Sequence, residues 1–157
     1  MPYKPRIVVR VVWNTEFAQG IELARYIYSG FCRNVEQPAS RGLGLPVYFH
    51  RGATPAEAQL PEALDLDAAE STVVVMMLDT SIRADHSWRE CVKGLEKQIA
   101  ARGPRHRFLP VAWEDGVLSV VDNTQIRRIR ATEMCPKGPI HTVGNAFLVD
   151  CPLLHFR

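Results

Sequence analysis

The chain has 157 residues, of which 46% are hydrophobic and 23% charged, and its formal net charge is +2. A chain of this length and composition builds one domain around a proper core, and a charge this near zero argues against nucleic acid or an anionic membrane as the partner. No apolar run approaches a membrane span and no secretory leader opens the chain, so the scattered cysteines (Cys32, Cys91, Cys135, Cys151) predict free thiols in a reducing cytoplasm.

Residues 6–13 (Arg-Ile-Val-Val-Arg-Val-Val-Trp) predict a first strand, rich in β-branched side chains. Asn14 or Thr15 is placed to cap the helix that follows, because a short side-chain oxygen reaches free backbone amides there. That helix gathers Leu23, Ala24, Ile27, Tyr28 and Phe31 on one face and turns Glu16, Glu22 and Arg25 to water. Gly30 and Arg33-Asn34 help to end it. A loop over 35–44 leads to a short second strand at 45–49, whose Pro46 belongs at a strand start or a sheet edge.

Residues 50–70 form the longest polar connection, and Pro55 and Pro61 oppose one continuous helix. A single helical turn is expected at 65–70. Residues 73–78 (Val-Val-Val-Met-Met-Leu) are the most informative in the chain. They are too short for a helix and too uniform for a half-wet strand, so they predict a strand buried on both faces inside a parallel sheet. It closes on Asp79. A second helix over 87–101 carries Trp88, Cys91, Val92, Leu95 and Ile99 on one face, and Arg-Gly-Pro at 102–104 stops it. Residues 108–113 read as a fourth strand. Patterning then weakens: 116–121 fits strand or loop, and 146–154 one further helix or strand.

This rhythm predicts an α/β fold, a flavodoxin-like three-layer sandwich with a central parallel sheet. Ligands on such sheets sit beyond the carboxyl ends of the strands, which here means near Asp79.

The order of pieces also resembles a known family. A β-branched strand leads into Gly-Ile-Glu-Leu-Ala-Arg-Tyr-Ile-Tyr at 20–28. Gly-Leu-Gly-Leu-Pro-Val-Tyr-Phe at 42–49 precedes a long polar loop. A buried strand ends in Asp79 before Ser87-Trp88 at a helix start, and Phe-Leu-Pro-Val-Ala follows at 108–112. Over residues 6–115 this is similar to Toll/interleukin-1 receptor (TIR) domains, especially their divergent bacterial branch, and residues 1–157 are expected to form a single such domain.

The resemblance implies that 50–70 is the loop through which TIR domains self-assemble and gate a nucleotide pocket. It implies that Trp13, Asn14, Thr15, Glu16 and Phe17, with residues 79–86, line that pocket. Enzymatic members cleave the glycosidic bond of NAD with a glutamate on the helix beginning near Ser87. A carboxylate beside an oxocarbenium-like ribose is sound chemistry. The family places that glutamate four residues after the helix-opening tryptophan, where this chain has Val92. Glu90 is the nearest carboxylate, and at 100° per residue it lies about 200° from Trp88, away from the apolar face.

Each candidate has a structural reading beside the functional one. Ser87-x-x-Glu90 fits a capping box, which would occupy Glu90 without chemistry. Asp79 can meet a ligand, cap a turn or pair with Arg83. Glu16 can face a ribose hydroxyl or favour a helix N-terminus. Trp88 suits the core, whereas Trp13 and Trp113 can stack on a ring or pack under a loop. His50 and Arg51, taken as the start of the long loop, can contact a phosphate or simply be solvated. Cys135, His141, Cys151 and His155 have poor zinc spacing, so no metal is expected. Cys91 reads as a small core hydrophobe. The basic clusters at 102–107 and 127–130 lack interleaved aromatics and read as solvated faces or protein contacts.

The expected function is therefore self-assembly in bacterial immune-type signalling, with other TIR-type domains as partners. NAD enters as a candidate substrate and no cofactor is expected. The alternatives are a scaffold that has lost the chemistry and a small nucleotide-binding flavodoxin-like hydrolase. An enzyme predicts a carboxylate in the cleft near Asp79 and Trp13. A scaffold predicts a filled cleft and exposed apolar residues on the long loop.

Overall fold

The two stretches with the densest β-branched and apolar content lie side by side at the centre of the sheet. They are β1 (Ile7–Asn14) and β3 (Ser71–Leu78), paired in parallel from Ile7–Ser71 to Val12–Met76. The computed structural model describes residues 4–32, 44–121 and 127–128. β2 (Val47–Gly52) flanks β1, β4 (His106–Ala112) flanks β3, and the short β5 (Arg127–Arg128) pairs with the end of β4. Every pairing is parallel and the order is β2-β1-β3-β4-β5, so the fold is an α/β flavodoxin-like sandwich.

Alternation along the strands divides the core in two. Val9, Val11, Trp13, Val73, Val75 and Met77 face α1 (Gly20–Phe31), which lays down Leu23, Ala24, Ile27 and Phe31. Val12, Val74, Met76 and Leu78 face the other layer. There α3 (His86–Ala101) contributes Trp88, Val92, Leu95 and Ile99, each buried side chain stabilising by about 1.5–3 kcal/mol. Tyr28, expected on the buried face of α1, is exposed instead.

On the α3 side no helix links β2 to β3, in keeping with Pro55 and Pro61. Residues 53–65 fold as successive turns that drive Ala58, Leu60 and Leu64 into the core, and a 3-10 turn at Leu66–Ala68 adds Leu66. Thr54 and Glu57 form a reciprocal cap within it: Glu57 N–H donates to Thr54 Oγ1 and the Glu57 carboxylate accepts from Ala53 N–H. A second 3-10 turn, Asp115–Val120, stands where strand or loop was expected and packs Val117 and Val120 into the same layer.

Several boundaries differ from the sequence reading. β2 begins after Pro46, whose carbonyl accepts from Val9 N–H, and continues to Gly52 because its pairing with β1 runs on to Asn14. His50 and Arg51 are therefore strand residues, not the start of a loop. The first helix starts at Gly20, five residues beyond Thr15, with Gln19 as an N-cap that makes no side-chain bond. A short helix α2 (Thr80–Ala84) fills what was read as loop, and α3 begins one residue earlier than expected.

Gly20 is needed for packing: a Cβ there would lie 2.4 Å from Cδ1 of Trp13. Gly20→Ala should cost about 1–3 kcal/mol in chemical denaturation by displacing that ring. Gly94 in α3 has open space around its Cα, so Gly94→Ala should stabilise by about 0.5–1 kcal/mol.

Candidate functional site

The chain leaves β1 toward α1 on one face and β3 toward α3 on the other, so the order switches between these strands. Their carboxyl ends are the crevice such folds use for ligands. Its rim is Trp13 to Phe17 at the end of β1 and beyond, Gly52 and Ala53 at the end of β2, and Asp79 after β3.

The structure brings these residues together but engages most of them structurally. Trp13 is buried against the α1 layer, its ring edge-on to Phe49 with centroids 5.7 Å apart. Asn14 is buried, and its Oδ1 accepts from Glu16 N–H at 2.9 Å, so it closes a turn after the strand instead of capping α1. Thr15 N–H donates to the Gly52 carbonyl, and Phe17 packs edge-on against Trp113 with centroids 5.4 Å apart. Glu16 is exposed.

Asp79 is 5% exposed and caps α2. Its carboxylate accepts from the Ser81 hydroxyl at 2.8 Å and from the amides of Ser81 and Ile82. Of the alternatives for Asp79 the cap is the one found, and the Arg83 guanidinium donates instead to the Gly116 carbonyl. Asp85 is the N-cap of α3, its Oδ1 accepting from Trp88 N–H at 3.0 Å. The Ser87–Glu90 capping box is thus overturned. The helix starts at His86 with Asp85 as its cap, so Ser87 lies inside the first turn, and Glu90 is left exposed on α3.

Trp88 is fully buried, as its core reading requires, yet its polar edge also works: Nε1–H donates to the Ala53 carbonyl at 2.8 Å. This bond ties the first turn of α3 to the exit of β2. Val92, one helical turn later, is 0% exposed within the same apolar cluster. Among the described residues the crevice therefore has one buried carboxylate, Asp79, and its oxygens are committed to a helix cap.

His50 and Arg51 part company. Arg51 is exposed opposite Trp13, whereas His50 is buried toward the α3 side beside Arg10, whose Nη1 lies 3.4 Å from His50 Nε2. The same guanidinium donates to the carbonyls of Ala63 at 2.8 Å and Asp65 at 3.2 Å, and it lies over the Tyr48 ring. Burial pushes its pKa down, partly offset by the Asp65 carboxylate. Arg10 escaped the sequence reading, although a lone arginine inside an apolar strand signals a charge that must find partners.

The apolar surface also lies elsewhere than expected. Tyr28, Tyr48 and Phe49 are exposed on α1 and β2, with Tyr28 and Phe49 in ring contact, while the long segment buries Ala58, Leu60 and Leu64. Cys91 is half-buried beside the α3-side core, where desolvation raises its thiol pKa. The candidate zinc set at 135–155 and Arg130 of the basic cluster at 127–130 lie outside the described residues. Among the described ones, no group of three His, Cys, Asp or Glu could hold a metal, and no helix is long and apolar enough to cross a membrane. The chain matches no family model, no curated protein and no solved structure.

Denaturation of single variants separates the two caps. Asp85→Ala should lose about 1 kcal/mol, whereas Glu90→Ala should stay within about 0.5 kcal/mol of the parent. Trp88→Phe should cost about 1–3 kcal/mol by leaving the Ala53 carbonyl without its donor.

Proposed function

We propose that this chain is a TIR-like self-assembly domain of bacterial immune-type signalling, acting through copies of itself or other TIR-type domains and not by cleaving NAD. The observation that carries this reading is Val92. The position that enzymatic TIR domains give to glutamate holds a valine sealed in the core, where a charged carboxylate would need a partner or a shifted pKa.

The carboxylates that could substitute are poorly placed for the task. Asp79 accepts bonds from three groups, and Glu16 and Glu90 are exposed. Glycosidic cleavage asks for a carboxylate held against the anomeric carbon in a site that excludes water. The residues at the strand ends instead pack against one another.

Assembly is supported by the outer edge of the sheet. Among the described residues β2 is an end strand that carries exposed aromatic side chains, and an edge of this kind is suited to contact with another chain. Tyr48 and Phe49 are about half exposed there, at 51% and 41%.

Purified protein at high concentration, where sedimentation shows self-association, should leave NAD unconsumed. Turnover abolished by Glu90→Gln would overturn the reading. In the same sedimentation experiment, Tyr28→Glu with Tyr48→Glu should weaken self-association by about tenfold or more, and unchanged association would remove this edge as the contact.

A further inference from the structure

The segment over 53–65 is held to the sheet by few polar contacts, and they converge on one pair of side chains. Arg10 on β1 donates to the carbonyls of Ala63 and Asp65, and its Nη1 also meets His50 Nε2. A guanidinium has donors only, so Nε2 must accept, and His50 must be neutral with its proton on Nδ1. The ring's other bond, to the backbone of Ala58, is then donated by Nδ1–H to that carbonyl. Residues 63 and 65 of the segment thus hang on Arg10, whose contact with the ring needs an uncharged imidazole, whereas the Ala58 bond survives protonation and favours the charged ring.

We propose that Arg10 and His50 form an acid-sensitive latch: a proton taken from solvent by His50 Nε2 breaks its bond to Arg10, sets two cations face to face and releases the 53–65 segment while β1, β3 and β4 stay paired. The facing groups explain why the response is local. From β1 the imidazole meets the Arg10 guanidinium. From β2 it is flanked on the same face by Tyr48, whose ring lies under Arg10. From the segment it meets the Ala58 backbone, and the Asp65 charge acts on Arg10. Both His50 and Arg10 are over nine-tenths buried, at 8% and 7% exposure, so water screens the new repulsion weakly.

Desolvation, reinforced by Arg10, holds the imidazole pKa below its ordinary value. In the unfolded chain the same histidine takes its proton near about 6.5. The sign follows: the latch is intact above that pH and weakens as pH falls from there to the folded value, where the loss levels off. Release uncovers Ala58, Leu60 and Leu64, all now packed in the core. The inference does not depend on the proposed assembly function.

Amide hydrogen exchange of the full chain between pH 7.5 and 5, corrected for intrinsic rates, tests it beside the NMR titration of the His50 ring. The amides of Leu60, Ala63 and Leu64 donate within the segment. Their protection should fall by up to about tenfold per pH unit, the limit for one linked proton, as pH drops below about 6.5, and should level off where the His50 ring titrates, while β3 amides keep theirs. His50→Gln should remove the pH dependence. No loss, a loss that does not track His50, parallel loss in β3, or persistence in a folded His50→Gln would each overturn the latch. If that variant does not fold, the match between ring titration and segment exchange decides alone.

Discussion

A buried guanidinium is the constraint around which one face of this protein is arranged. Arg10 sits in the second innermost strand of the sheet, where a cation without partners would cost more than the strand gains. It takes carbonyls from a segment more than 50 residues away in the chain, and those bonds place the segment over β1 and β2. The fold needs something there. Prolines deny that connection a helix, so apolar turns cover the strands and Arg10 holds them down.

The same covering decides what the strand ends can do. The Trp88 indole bonds the Ala53 carbonyl, so the exit of β2 is fastened to α3 as well as to β1. Trp13, Asn14, Asp79 and Trp88 are buried, and the polar ones among them satisfy turns and caps. The exposed aromatics of β2 and α1 are, by contrast, committed to no core cluster.

The sheet was legible because its signals are local and strong. Residues 73–78 have one reading as a buried strand, and the face of Trp88, Val92, Leu95 and Ile99 follows from helical spacing. The details at the ends were not. Asp85 and Ser87 are both good caps, and only the observed start of α3 chooses between them. His50 and Arg51 look like loop beside Gly52, but the pairing of β2 with β1 depends on a partner 38 residues away. Likewise, Asp79 reads as ligand or cap until the turn of α2 is seen. In each case the missing information is a tertiary hydrogen bond, which composition and periodicity do not carry.

The central proposal is that, among the described residues, the side chains at the strand ends close the crevice to a dinucleotide. Titrating NAD into the labelled protein while following the amides of Asn14, Ala53 and Asp79 tests it most directly. The account predicts that these resonances do not move at millimolar NAD. Saturable shifts confined to those three positions would contradict it and restore the crevice as a binding site.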